Sequence, residues 1–235
     1  MQKKMNDSKP FDIIAVIRTD FPEKFGIPRQ SGIIKNLKGK IVFEPEYRDV
    51  SALRGLEDFT HLWLLWKFSE TESDKWSPTV RPPRLGGNKR MGVFATRAPY
   101  RPNPIGLSCV KIEKIIESSP EGPVIEVSGA DMLDGTPIYD IKPYIPYTDA
   151  HTDASGGFSD AVYGDLLEVE IPQTLTDGMP DDKLQALKEI LASDPRPGYK
   201  ADGNRVYGFN FANYSIKFTV NDGVLKVTEI EKTQG

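Results

Sequence analysis

Hydrophobic positions in this chain fall in short runs separated by Pro, Gly, Asp and Asn. Residues 11–18 (FDIIAVIR) are rich in Ile and Val and predict a first strand. The following DFPEKFGIPRQSG reads as a loop from its Pro and Gly content. Residues 40–47 predict a strand, with Pro45 placing it at an edge or an end. Residues 49–56 predict one helical turn stopped by Gly55. HLWLLWKF at 61–68 is too short and too uniformly apolar for an amphipathic surface helix, and predicts a buried strand. Further strands are expected over 91–97 and over 105–116, which alternates polar and apolar residues for part of its length. Residues 123–132 and 136–145 flank Asp134 and Gly135, and are expected to pair as a hairpin. Strands at this spacing, with turns between them and no long helix, predict a barrel or curved sheet.

The pattern changes near residue 148. TDAHTDASGGFSD (148–160) has the composition of a flexible loop or linker. Residues 166–171 predict a short strand. Residues 180–193 predict the clearest helix: Leu184, Leu187 and Leu191 share a face, and Asp181 and Asp182 sit in the first turn, where the helix dipole favours acids. Asp194 and Pro195 end it. Strands over 206–220 and 224–230 are expected around the turn Asn221, Asp222, Gly223. The division is therefore a barrel with its linker at 1–159 and a smaller α+β domain at 160–235.

Composition narrows the function. Hydrophobic residues at 38% and charged residues at 27% describe an ordinary soluble protein. The single cysteine, Cys109, excludes an internal disulfide. No secretory signal opens the chain, and the longest apolar run, 62–66, is too short for a bilayer; the expected location is the cytoplasm, with no membrane partner. With two histidines, His61 and His151, and one cysteine, no zinc site of Cys and His ligands can be assembled within one chain, so no metal is expected. His61, inside an apolar strand, is expected to be a satisfied core histidine. Neither a GxxxxGK[ST] loop nor a GxGxxG turn is present.

What stands out is a basic stretch in a chain of net charge −4. No Asp or Glu occurs between Asp74 and Glu113, while Arg81, Arg84, Lys89, Arg90, Arg97 and Arg101 all fall there. Prolines and the pair Gly86, Gly87 punctuate it, so parts of the loop are stiff and parts open to close backbone approach. Arg–Pro elements recur as PRQ (28–30), RPPR (81–84), RPNP (101–104) and DPRP (194–197). Arginine is suited to bidentate phosphate or carboxylate contacts, and proline holds its backbone still. Aromatic residues lie among these elements: Phe25, Trp76, Tyr100, Tyr144, Tyr147 and Tyr199. Arginine with aromatic surface is the chemistry that grips splayed single-stranded bases, although solvated loops with core aromatics give the same composition.

PRQ at 28–30, RGLEDFTHLWLL at 54–65, RPPRLGGNKRMGVFATRAPYRPNPIGLS at 81–108, DMLDGTPIYDIKPY at 131–144 and DPRPGY at 194–199 resemble the TrmO family, over nearly the whole chain. The resemblance implies a mainly β fold: a single-sheet antiparallel β-barrel with a smaller C-terminal α+β domain. It implies an S-adenosylmethionine-dependent tRNA methyltransferase that forms homodimers and acts on N6 of threonylcarbamoyl-adenosine at tRNA position 37, in the anticodon loop. By motif match, cofactor contacts are expected at Pro28, Arg29, Gln30, Arg97, Leu107, Ser128, Gly129, Ala130 and Asp131. Ser69 and Glu70 are included too; they stand where many relatives carry a His–Gln pair, which points to backbone contacts there. Arg81, Arg84, Lys89, Arg90 and Arg101 are expected to meet RNA phosphates.

The N6 nitrogen belongs to a urea, so its lone pair is delocalised and its proton must be accepted during methyl transfer. Asp194, Tyr199 and Asp134 are the candidates for that acceptor, and Arg196 for the residue that holds the threonyl carboxylate. On this reading the C-terminal domain serves the substrate, and the barrel alone serves the cofactor. Two other classes fit the same residues: a non-enzymatic RNA-binding regulator, and a small-molecule methyltransferase on the same barrel.

Overall fold

The computed structural model describes residues 10–70, 76–85, 89–162, 166–196 and 205–233, without the side chains of Arg84, Ala161 and Val162. Twelve strands are described: β1 Ala15–Thr19, β2 Lys38–Phe43, β3 His61–Lys67, β4 Thr79–Val80, β5 Met91–Gly92, β6 Ile105–Ile116, β7 Val124–Ser128, β8 Thr136–Pro143, β9 Glu168–Glu170, β10 Tyr207–Phe211, β11 Tyr214–Asn221 and β12 Val224–Lys232. Two α-helices join them, α1 Pro146–Asp149 and α2 Asp181–Ala192.

Six strands close into an antiparallel barrel in the order β1-β2-β7-β6-β3-β8. The period-two alternation of strand side chains decides which residues fill it. Leu62, Leu64 and Trp66 of β3 are buried while His61, Trp63 and Leu65 are only half-buried, and Gly106, Ser108 and Val110 of β6 are buried in the same way. Ile17, Ile41, Ile125, Val127 and Ile138 complete the interior.

Asp134 and Gly135 do form a turn, but not a hairpin between the strands flanking it. β7 pairs with β2 and β6, whereas β8 pairs with β1 and β3. Thr19 N–H donates to Asp134 Oδ1 at 2.9 Å, and Asp134 N–H donates to the Phe21 carbonyl at 2.8 Å. The turn is therefore held by β1, and the chain crosses the barrel end between β7 and β8. The strand expected over 91–97 shrinks to β5 and continues as a 3-10 turn, Val93–Ala95. His61 is half-buried on the outer face, with Nδ1 2.9 Å from Thr60 Oγ1 and its ring tilted against Tyr144, so it is not a core histidine.

The C-terminal sheet has the order β10-β11-β12-β9, with β9 parallel to β12. What reads as one strand over 206–220 is two, split at Ala212, whose φ of 52° lies in the left-handed region. Helix α2 covers this sheet with Ala186, Leu187, Ile190 and Leu191. The same hydrophobic cluster also contains Phe21, Ile34 and Leu37, all from the loop joining β1 to β2, with Phe25 and Ile27 packed against it. The Phe21 and Phe211 ring centroids are 5.4 Å apart. Polar ties follow the same path: Ala212 N–H donates to the Asp20 carbonyl at 2.7 Å, Asn210 N–H to Glu23 at 2.6 Å, and Lys183 pairs with Asp20. Residues 20–37 thus form a strap whose apolar side chains complete the core of the C-terminal sheet.

Candidate active site

The strap crosses one end of the barrel and closes a cavity of about 640 Å³ there, within the range of small-molecule sites. Four stretches line it. Ile27, Pro28, Arg29 and Gln30 come from the strap, and Trp66 through Glu70 from the end of β3. Thr96, Arg97, Tyr100, Arg101 and Asn103 precede β6, whose first residues reach in through Leu107. Asp131, Met132, Leu133 and Thr136 lie at the crossing between β7 and β8.

Packing and hydrogen bonds fix most of these groups. Gly106 lies against the Trp66 indole, where an added Cβ would stand 2.1 Å from the ring. Arg97 Nη1 donates to Gln30 Oε1, and Arg101 Nη1 to the Thr96 carbonyl at 3.1 Å. Lys24 reaches across the opening to the Glu70 carbonyl at 2.7 Å and its carboxylate at 3.1 Å. Arg29 Nη2 donates to the Arg196 carbonyl at 2.9 Å, so the C-terminal unit holds a lining residue through its backbone. Cations dominate the lining, from Lys24, Arg29, Lys67, Arg97 and Arg101, which favours a ligand bearing negative charge.

One carboxyl stands apart. Burial pushes Asp131 up to about 6, against opposing hydrogen bonds from Ser108 and backbone N–H groups and the nearby Arg97 charge. Ser108 Oγ donates to Asp131 Oδ1 at 2.6 Å, and Trp66 Nε1 donates to Ser108 Oγ at 2.9 Å. Ser108 has no solvent exposure. The motifs place Asp131 among the cofactor contacts, but nothing in the sequence links it to Trp66 and Ser108.

The expected cofactor residues divide. Pro28, Arg29, Gln30, Ser69, Glu70, Arg97, Leu107 and Asp131 line the one cavity. Ser128, Gly129 and Ala130 do not. Ser128 Oγ donates to Glu113 at 2.6 Å, on the wall of a separate cavity of about 450 Å³ that Gly129 also lines. The Gly129 backbone is bonded to Leu37 and Gly32 of the strap, and Ala130 is buried in the barrel.

The candidates for substrate chemistry also separate. Asp134 is not among the lining residues; it accepts from Thr19 and lies 3.6 Å from Arg18. Asp194 has a φ of 53° where α2 ends, and its carboxylate receives Arg196 Nε at 2.8 Å and Nη2 at 2.9 Å. The planar fork expected to read a substrate carboxylate is closed on Asp194, and that pair raises the already high Arg196 pKa. Tyr199 lies outside the described residues.

Arg81, Lys89 and Arg90 are exposed around the ribbon of β4 and β5, with Arg90 Nη1 3.2 Å from Thr79 Oγ1; the Arg84 side chain is outside the described residues. Trp76 and Phe94 beside that ribbon are exposed and stacked, with centroids 6.2 Å apart. Among the described residues, no helix is long and apolar enough to cross a membrane, and no group of three or more His, Cys, Asp or Glu is placed to hold a metal ion.

The family model described as the tRNA-methyltransferase O N-terminal domain matches residues 16–150, and that of the TrmO C-terminal domain matches 166–233. The chain is 38% identical over 230 residues to the tRNA (adenine(37)-N6)-methyltransferase of Escherichia coli (strain K12), covering 94% of this chain and 97% of that protein. It is 43% identical over 202 residues to a putative S-adenosylmethionine-dependent methyltransferase, RcsF, of Pseudomonas aeruginosa, covering 83% of this chain and 85% of that one. A crystal structure of TrmO from Pseudomonas aeruginosa superposes with a TM-score of 0.74 at 31% identity, over 95% of this chain and 99% of the other.

Proposed function

The chain belongs to the TrmO family, and from that membership we infer that it is an S-adenosylmethionine-dependent tRNA methyltransferase acting on N6 of the adenosine at position 37. One observation carries the reading at the level of the site. Family-motif residues from three separated stretches, Pro28 to Gln30, Arg97 with Leu107, and Asp131, converge on one cavity large enough for a nucleoside cofactor. The lining suits a zwitterion joined to a base. In this reading Arg29 and Arg97 hold a carboxylate, and Leu107 with Phe68 an aromatic ring. The bound cofactor supplies an electrophilic methyl group; the protein's task is to align the acceptor and remove its proton.

The acceptor in this reading is threonylcarbamoyl-adenosine, presented by the anticodon loop to a homodimer in the cytoplasm. That finer part rests on the resemblance of the motifs. Arg101 and the exposed ribbon with Arg81, Arg84, Lys89 and Arg90 meet the RNA backbone. Asp194 and Arg196, closed on each other, serve by bracing Arg29. No observation among the described residues favours the regulator or the small-molecule enzyme. Incubating the purified chain with S-adenosylmethionine and tRNA carrying threonylcarbamoyl-adenosine should yield the N6-methylated nucleoside on mass spectrometry. Cofactor binding without that product would assign the enzyme another acceptor.

Two substitutions test the parts separately. Arg97→Ala removes a charge-assisted contact worth about 1.5–3 kcal/mol, so cofactor affinity measured by calorimetry should fall roughly ten- to hundredfold. The melting temperature of the ligand-free protein should barely move, because the Arg97 side chain reaches Gln30 in an exposed hydrogen bond rather than filling either core. Unchanged affinity would remove Arg97 from the cofactor site. Lys89→Ala with Arg90→Ala should flatten the salt dependence of tRNA binding, by roughly 0.7–0.9 in log–log slope for every phosphate that is no longer neutralised. An unaltered slope and affinity would show the ribbon to be solvated surface.

A further inference from the structure

We propose that Asp131 is the residue that accepts the N6 proton, and that Ser108 and Trp66 position its carboxylate for that task. The proposal rests on the methyltransferase reading above and assigns a step that reading leaves open.

Two acids line the cavity among the described residues, Glu70 and Asp131. Glu70 is exposed and neutralised by Lys24 at 3.1 Å. Asp131 is largely buried, and the charge that acts on it is that of Arg97. The other titratable groups around the cavity are Lys24, Arg29, Lys67, Arg101 and Tyr100. Of the two lining carboxyls among the described residues, Glu70 is tied up in an ion pair and Asp131 is not, which leaves Asp131 available to take up a proton.

The hydrogen-bond line orients the Asp131 carboxylate. An indole N–H only donates, so Trp66 fixes Ser108 Oγ as an acceptor on that side. The Ser108 hydroxyl proton is then directed to Asp131 Oδ1. Backbone N–H groups of Ser31 and Asp131 also donate to this carboxylate, so its orientation is fixed from several sides. In the balanced step, the N6–H bond breaks with its electrons left on nitrogen, and the proton moves to the Asp131 carboxylate. The new N–CH3 bond forms as the sulfonium–methyl bond breaks, its electron pair leaving on sulfur as a thioether. The net charge of the cavity is unchanged by the reaction, since the carboxylate loses its charge as the sulfonium loses its own.

The pH behaviour follows. A base must be deprotonated to work, so kcat/KM should rise with pH along an acidic limb centred at about 6 and then level off. Removing the Ser108 hydroxyl removes a hydrogen bond that lowers the Asp131 pKa. Ser108→Ala should therefore move the limb to higher pH, which a merely structural role would not do. Restoring the hydroxyl with Ser108→Thr should bring the limb back.

The experiment uses the full chain, S-adenosylmethionine and modified tRNA. Asp131→Asn should fold and lose about 100-fold or more in single-turnover rate at saturating S-adenosylmethionine, whatever its cofactor affinity. In the ligand-free wild type, the Asp131 carboxyl carbon should titrate by NMR near 6, and higher in Ser108→Ala. Four results overturn the proposal: wild-type rate in Asp131→Asn, loss of cofactor affinity with a normal saturated rate, an acidic limb that survives the substitution, or a carboxyl titrating near the ordinary value of about 4. If the wild type itself methylates no tRNA, the functional reading fails first, and the NMR titration still decides whether the carboxyl is poised to take up a proton near neutral pH.

Discussion

Phe21→Ala is expected to destabilise the protein by about 3–5 kcal/mol and, in the fraction that remains folded, to weaken binding of S-adenosylmethionine. Phe21 is one of the largest fully buried side chains, although it lies in a loop rather than in a strand. Its ring packs on Phe211 of β10, and its carbonyl accepts from Asp134 at the barrel end. Truncation opens a cavity in the C-terminal core at the point where the strap enters it. A few residues further along, the strap carries Pro28, Arg29 and Gln30 into the cavity at the barrel end. The chain between is itself anchored: Gly26 has a φ of 95°, and an added Cβ there would stand 2.5 Å from Phe209. Loosening one end of so short a segment should blur the other. Thermal unfolding reports the first effect, and calorimetry below the transition reports the second. Phe21→Leu, which keeps most of the volume, should lose less than about 1.5 kcal/mol and retain the affinity. Full cofactor affinity in folded Phe21→Ala would show that the barrel holds Pro28 to Gln30 unaided.

This coupling revises the division of labour that the motifs suggest. Residues 160–235 read as a separate domain serving the substrate, yet their core is completed by residues 20–37 and their backbone braces Arg29 through the Arg196 carbonyl. The sequence hides this because Phe21, Phe25, Ile27, Ile34 and Leu37 follow no period and sit among Pro and Gly. Strand positions are legible: 61–68 and 105–116 give β3 and β6 nearly to the residue, the first from its short apolar run and the second from its partial alternation. Pairing is not. The turn at Asp134 and Gly135 is real, but which strands it joins depends on β1, more than a hundred residues earlier. Burial alternates on odd positions in β10 and on even positions in β11, so the phase slips at Ala212, a break that reading 206–220 as one strand overlooks. For the site, the motifs identify most of the lining, through resemblance rather than chemistry. The line from Trp66 through Ser108 to Asp131 joins residues 42 and 23 positions apart, which only the barrel register brings together.

Asp131→Asn is expected to make the protein more stable at neutral pH, by about 2–3 kcal/mol, and to leave it unchanged near pH 4. The fold holds this carboxyl at about 6, above the ordinary 3.8, because burial disfavours the charged form. For an acid raised in this way, the folded state binds more protons than the unfolded chain between the two values. Stability from this group is therefore fully present below about pH 4 and is lost as pH rises through about 6. A separation of that size corresponds to about 3 kcal/mol at the upper plateau. Asparagine carries no charge at either pH, and its Oδ1 can still accept from Ser108, so the variant lacks this slope. Other carboxyls are shifted the opposite way: Glu113 by hydrogen bonds from Ser128 and Lys111, and Asp149 by Ile145 and Trp63. They lose their contribution as pH falls, but in both proteins alike, so the difference between variant and parent isolates Asp131. Denaturant unfolding of the pair across about pH 4–8 measures it. Curves that stay parallel, or a gap that widens toward acid, would mean that the carboxyl is not held neutral by burial. A gap that opens between about pH 4 and 6 would show the folded protein tolerating a destabilising charge in the lining of this cavity. That pattern fits a residue retained for proton transfer rather than for packing.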